Sequence, residues 1–202
     1  MIHIIDYGMG NLGSIRNMIK HIGFQSKVTS EVKEISAAEK LILPGVGSFD
    51  NGMEKISKLG IKTILDKMAL EEKIPILGIC LGMQLMTKRS EEGTAVGLGW
   101  IDAETVKFDH NGRKIKVPHM GWNSVSISNP NPLVKNMHSE SRFYFVHSYH
   151  VKCKNSDDVI GKTKYGTEFT SIICKENIFG CQFHPEKSHR FGMKIFQNFA
   201  EL

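Results

Sequence analysis

Apolar and polar positions in the first half of the chain alternate between two periodicities. Ile2 to Ile5 is a continuous apolar run that predicts a buried strand, closed by a turn at Tyr7-Gly8-Met9-Gly10. Leu12, Ile15, Met18, Ile19 and Ile22 then mark one helix face, with Gly23 as a C-terminal stop. Gln25 to Val28 predicts a weak strand, and Leu41 to Leu43 a stronger one ended by Pro44-Gly45. Helical patterns follow over Phe49–Leu59 and Ile61–Glu72. Pro75 to Ile79 is another apolar strand, running directly into a helix predicted over Leu81–Arg89. From about Ile101 to Phe183 the chain consists of strand-like pieces joined by Asn, Pro, Gly and Ser turns, such as Asn129-Pro130-Asn131-Pro132. A helix returns at about Arg190–Phe199. The expected fold class is α/β: an open, mostly parallel twisted sheet flanked by helices, with additional antiparallel strands. No internal repeat, low-complexity segment or interdomain linker interrupts the pattern.

Composition narrows this picture. At 202 residues the length favours one domain, and 41% hydrophobic with 23% charged residues is the balance of an ordinary globular chain. No apolar run reaches the roughly 18–20 residues needed to span a bilayer. The start, MIHIIDYG, lacks a basic segment leading into an apolar stretch, so a cytoplasmic protein is expected. Lys and Arg number 26 against 21 Asp and Glu, giving +5, but the basic residues are scattered without a like-charge tract. A Lys-rich solvated surface is the expectation, with neither nucleic acid nor membrane as partner. The cysteines, Cys80, Cys153, Cys174 and Cys181, have no CxxC or zinc-ribbon spacing. His147, His150 and Cys153 fall in a strand-like run, where the odd separation of the two histidines puts them on opposite faces. No metal site is expected there.

Two glycine motifs carry candidate chemistry. Gly8-Met9-Gly10-Asn11-Leu12-Gly13 matches G-x-G-x-x-G between a strand and a helix, with Glu31 as the acidic residue about 20 positions on. Asp6 argues against a dinucleotide, because a carboxylate at the mouth of the loop repels a pyrophosphate; a tight turn into the first helix is the better reading. Gly78-Ile79-Cys80-Leu81-Gly82 has the spacing and strand–turn–helix setting of a nucleophile elbow. The turn is too sharp for side chains two residues either side of the nucleophile. It sets the Cys80 sulfur at a helix N-terminus, which favours the thiolate, and aims the Leu81 amide where an oxyanion would form. His184-Pro185-Glu186 supplies a base with a carboxylate two residues on, on the same strand face. Pro44-Gly45-Val46-Gly47, again just past a strand, is a second oxyanion candidate.

The segments DYGMGN (6–11), PGVGSF (44–49), GICLGMQL (78–85), PHMGWN (118–123), FYFVHSY (143–149) and QFHPEKS (182–188) together resemble the class I, or triad, glutamine amidotransferases. Within that family they are most similar to the glutaminase subunits of imidazole glycerol phosphate synthase. The resemblance implies one glutamine amidotransferase domain over residues 1–202, acting on L-glutamine without a cofactor. In it Cys80 is the nucleophile, His184 the proton shuttle and Glu186 the group that orients His184. It further implies an oxyanion hole at Leu81, Val46 and Gly47, and a glutamine pocket at Gly45, Gly47, Gln84, Ser148 and Tyr149. A (β/α)₈-barrel cyclase is the implied partner in a heterodimer. It would face His119, Trp122, Asn123 and Lys187, and use the ammonia to convert the ribulosyl-formimino nucleotide PRFAR to imidazole glycerol phosphate and AICAR in histidine biosynthesis. Ser48 and Cys181 depart mildly from the family pattern. Gly99-Trp100-Ile101-Asp102 and Ser188-His189-Arg190-Phe191-Gly192 look similar to a paralogous branch that feeds ammonia to sugar amidation in surface-polysaccharide synthesis.

Overall fold

A computed structural model describes residues 1–108, 115–138 and 140–202. Its first half runs β1 (Ile2–Ile5), α1 (Leu12–His21), β2 (Ser26–Thr29), α2 (Val32–Ser36), β3 (Lys40–Leu43), α3 (Phe49–Lys58), α4 (Lys62–Asp66), a π-helical turn (Lys67–Glu71), β4 (Ile76–Ile79) and α5 (Leu81–Leu85). The second half is strand-rich: β5 (Ala103–Lys107), β6 (His119–Ser124), β7 (Ser126–Ile127), β8 (Arg142–His147), β9 (Tyr149–Cys153), β10 (Val159–Tyr165), β11 (Thr167–Lys175) and β12 (Ile178–Cys181), closed by α6 (His189–Ala200).

The main sheet has the order β2-β1-β3-β4-β12-β11-β10-β7. β2, β1, β3, β4 and β12 are mutually parallel. β11 turns the sheet antiparallel and also meets β9, which pairs with β5. β6 and β8 form a separate antiparallel ribbon. The α/β class with late antiparallel strands is thus as expected. The decisive placement is β12 beside β4: Cys181 pairs with Ile79, and one step further the Cys80 amide donates to the Cys181 carbonyl at 2.8 Å. Residues far apart in sequence therefore leave the sheet at the same carboxyl edge, where open parallel sheets form their crevice.

Alternation along the buried strands builds two cores. Ile5, Leu41, Leu43, Ile76 and Ile178 face Phe49, Met53, Ile56 and Leu65 from α3 and α4. Ile4, Ile42, Leu77 and Phe179 face Ile15 and Ile19 of α1 and Ile195, Phe196 and Phe199 of α6. Burial of each such Leu, Ile or Phe contributes about 1.5–3 kcal/mol, so the sheet edge carrying the site is held from both sides.

One predicted boundary moves. The helix expected to reach Arg89 stops at Leu85. The Thr87 hydroxyl donates to the Gln84 carbonyl (2.8 Å), and the amides of Leu98 and Ile101 take the carbonyls of Leu85 and Met86. With those acceptors occupied, the chain continues extended, and Arg89 and Ser90 form bridges with Val96 and Thr105. The histidine reading also changes. Ser148 separates β8 from β9, so strict alternation fails across it, and His147 and His150 both pack against Phe108 and Phe169. Among the described residues no group of three His, Cys, Asp or Glu is placed to hold a metal, and no helix is long and apolar enough to cross a membrane.

Candidate active site

Cys80 occupies the junction of β4 and α5 with φ +53° and ψ −108°, a left-handed backbone that a non-glycine residue adopts only when its surroundings enforce it. The enforcing contacts are backbone to backbone. A Cβ on Gly78 would come within 2.7–2.8 Å of the Met83 main chain, and one on Gly82 would overlap the Leu43 carbonyl oxygen. The small residues around the nucleophile are thus a packing requirement. The thiol is 6% exposed and lies 3.9 Å from the Val146 carbonyl.

His184 follows β12 and is anchored by its amide on the Tyr144 carbonyl (2.9 Å). Its own carbonyl accepts the Ser188 hydroxyl at 2.6 Å. The ring, 1% exposed, shares a 2.8 Å contact between Nδ1 and Oε1 of buried Glu186, while Nε2 has no hydrogen-bond partner among the described residues. Since a carboxylate only accepts, Nδ1 carries a hydrogen. Burial alone lowers the basicity of this ring, but the sulfur of Cys80 and the Glu186 carboxylate outweigh it and raise His184 to about 10. His184 is thereby held as the imidazolium near neutral pH.

Cys80 and His184 open on one cavity of about 310 Å³, at the small end of ligand sites. Val46, Gly47, Leu81, Gln84, Ser148 and Tyr149 also line it, so most residues implied by the resemblance converge. Gly45 does not: it sits behind the wall, where a Cβ would strike the Tyr7 hydroxyl and Leu81. Gln84 is on the wall, but its Nε2 is already committed to the Tyr149 carbonyl (3.0 Å) and Gln182 Oε1 (3.1 Å). The Leu81 amide, expected from the sequence as an oxyanion donor, makes a long 3.4 Å bond to the Gly45 carbonyl. Gly47, at φ +113°, needs the freedom only glycine has.

Several site groups escape sequence reading. Gln182 directs Nε2 at the Cys80 sulfur (3.7 Å); its position two before His184 on one strand is the available signal. Glu92 lines the cavity while its Oε2 accepts the Phe49 amide at 2.8 Å; nothing in its loop sequence marks it. His147, also on the wall, anchors a buried chain. Burial pushes His147 down to about 3 and His119 to about 4, so both rings are neutral near pH 7. His147 Nδ1 must donate to the Tyr149 carbonyl (2.7 Å), so its Nε2 accepts from His119 Nδ1 (3.0 Å). The Asn123 amide donates to the remaining His119 nitrogen at 3.3 Å.

Of the four residues expected to face a partner, His119 lies under the surface at 3% exposure, stacked on Tyr165 and Phe145. Trp122 is 41% exposed beside Met120 at 61%, and stacks on His189 with centroids 5.5 Å apart. Lys187 is exposed and lies over the Tyr144 ring, and half-buried Asn123 sits at the same ribbon. The glycine turn at Gly8 is closed to an anion on its own terms: Asp6 Oδ1 already accepts the Gly8 amide at 2.9 Å.

Residues 3–202 match the family model for glutamine amidotransferase class-I. The chain is 57% identical to imidazole glycerol phosphate synthase subunit HisH 2 of Methanococcus maripaludis, across 100% of this chain and 99% of that one. It is 48% identical to the subunit HisH 2 of Pseudomonas aeruginosa and 45% to the subunit HisH of Leptospira interrogans, with complete coverage of both chains in each case. Among solved structures, a putative GMP synthase protein from Thermoplasma acidophilum (TM-score 0.74, 22% identity, 99% of this chain and 92% of that one) shares the fold. PurLQS from Thermotoga maritima does too (TM-score 0.75, 17% identity, 99% and 97%).

Proposed function

We propose, from the premise that the chain belongs to the class I glutamine amidotransferase family, that it is the glutaminase subunit of an imidazole glycerol phosphate synthase. One observation carries the reading: a strained cysteine and a carboxylate-bound histidine open on a single small cavity, in a chain similar over its full length to subunits of that synthase.

The chemistry follows from the site. The Cys80 thiolate attacks the side-chain amide carbon of glutamine, forming a C–S bond as the carbonyl π electrons move to oxygen. The Leu81 amide and the Val46–Gly47 peptide stabilise that oxyanion. His184 gives the Nε2 proton to the nitrogen, the C–N bond breaks and ammonia leaves, with Glu186 holding the ring. His184 then removes a proton from water as it attacks the glutamyl thioester, releasing glutamate and restoring the thiolate–imidazolium pair. Glu92 offers a carboxylate to the α-amino group, while Gln84, Ser148 and Tyr149 shape the wall that holds the substrate's backbone end.

The ammonia passes to a cyclase partner of (β/α)₈-barrel type, docked on the exposed face of Trp122, Met120 and Lys187, with half-buried Asn123 behind it on the His119 ring. Exposed aromatic and apolar side chains grouped this way are typical interface anchors. The reading predicts that glutamate release rises at least tenfold when the cyclase and its nucleotide ligand are added. A chain that hydrolyses glutamine with no response to that cyclase would instead serve a different acceptor, such as a sugar-amidation enzyme.

A further inference from the structure

The glycine turn that follows β1, closed to a nucleotide, packs against the oxyanion loop. Tyr7 is 2% exposed and its hydroxyl donates to the Pro44 carbonyl at 2.5 Å across 37 residues of sequence. A Cβ on Gly45 would lie 2.5 Å from that hydroxyl, one on Gly47 would lie 2.8 Å from the Met9 methyl, and one on Gly10 would lie 3.0 Å from the Pro44 ring. The turn is itself fixed. The Asp6 amide donates to the Thr29 carbonyl, and the Lys55 ammonium to the Gly8 carbonyl at 2.9 Å. Burial, with the charge of Cys80 adding to it, keeps the Tyr7 phenol a proton donor well beyond the ordinary range.

Two consecutive carbonyls of the loop are thus gripped, Pro44 by Tyr7 and Gly45 by the Leu81 amide at 3.4 Å. These grips are not equivalent. The Tyr7 bond is short and the Leu81 bond long, and an oxyanion would compete with the Gly45 carbonyl for that one N–H. The Tyr7 bond then remains as the fixed point, with exposed Val46 and left-handed Gly47 beyond it. We infer that Tyr7 is a positioning residue: it pins Pro44 as the pivot of the loop that carries the Val46–Gly47 peptide on the cavity wall, with the Met9 methyl packed beside Gly47. This rests on the glutaminase reading above.

The test compares the full chain with Tyr7→Phe, in the presence of the cyclase and its ligand, by glutamate release and by iodoacetamide alkylation of Cys80, which needs no oxyanion hole. Loss of a whole oxyanion donor costs about 10²–10³ in kcat, so loosening its pivot should lower kcat about tenfold with KM and alkylation rate unchanged. Met9→Ala, which keeps the hydroxyl bond, should show the same split with a smaller loss. Wild-type kcat in both folded variants overturns the inference, as does a fall in kcat matched by alkylation, which would mean that the turn merely holds the elbow. A wild-type chain inert towards glutamine though alkylated at Cys80 would overturn the glutaminase reading, and this inference with it.

Discussion

Cys80→Ala should abolish glutamine-dependent synthesis by the complex, on the order of 10⁵-fold or more, and leave synthesis from added ammonium salts at the wild-type rate. The substitution removes the only atom that can form the thioester while disturbing little else. The elbow is shaped by close backbone contacts at Gly78, Gly82 and the Leu43 carbonyl, and alanine fits the backbone of residue 80 as well as cysteine does. The ammonia arm separates lost chemistry from lost assembly. A Cys80→Ala complex that still runs on glutamine would remove Cys80 from the mechanism. One that fails with ammonia as well would point to disrupted docking.

His184→Ala should cost on the order of 10⁴-fold or more in glutaminase kcat, and Glu186→Gln about 10²–10⁴-fold, by analogy with triads whose orienting acid is neutralised. The two differ in pH dependence. Burial opposes the charge on His184, but Cys80 and Glu186 raise it to about 10. A group held above its ordinary value near 6.5 keeps its proton up to the raised value and loses it beyond. Glutamine hydrolysis in the wild type should therefore fall as pH rises through about 10, when no proton is available for the leaving amine. Alkylation of Cys80, which requires only the thiolate, should not fall there. The same sign applies to stability: the contribution of the pair is fully present below pH 6.5 and is lost as pH climbs through about 10. In Glu186→Gln the alkaline limb moves to lower pH, since the amide still accepts from Nδ1 but carries no charge. A limb at the same pH in both proteins would show that Glu186 does not hold the imidazolium.

Much of this architecture is legible in the sequence because period and punctuation agree. Ile2 to Ile5, Leu41 to Leu43 and Pro75 to Ile79 are short apolar runs closed by glycine turns, and the helices between them show clear apolar faces. The elbow is readable for a harder reason, since the clash at Gly78 and Gly82 leaves few alternatives to glycine. What stays hidden depends on pairing order or on single side-chain bonds. Nothing local says that β12 lies beside β4, which is what brings His184 to Cys80. The early end of α5 is set by Thr87 and by amides of residues 98 and 101. Gln182 reads as strand filler until Cys80 is opposite it. Gly45 looks like pocket lining because its neighbours are, yet it is buried with the Tyr7 hydroxyl and Leu81 packed close against it. His147 and His150 defeat simple alternation because the break at Ser148 resets it.

The most direct test of the central claim is the mass of the chain after incubation with a chloroketone analogue of glutamine, with the modified residue located by peptide mapping. One adduct on Cys80, formed faster than with iodoacetamide and suppressed by L-glutamine, is the predicted result. Labelling at Cys153 or Cys174, or labelling of Cys80 that glutamine does not slow, would contradict a glutamine site built around this cysteine.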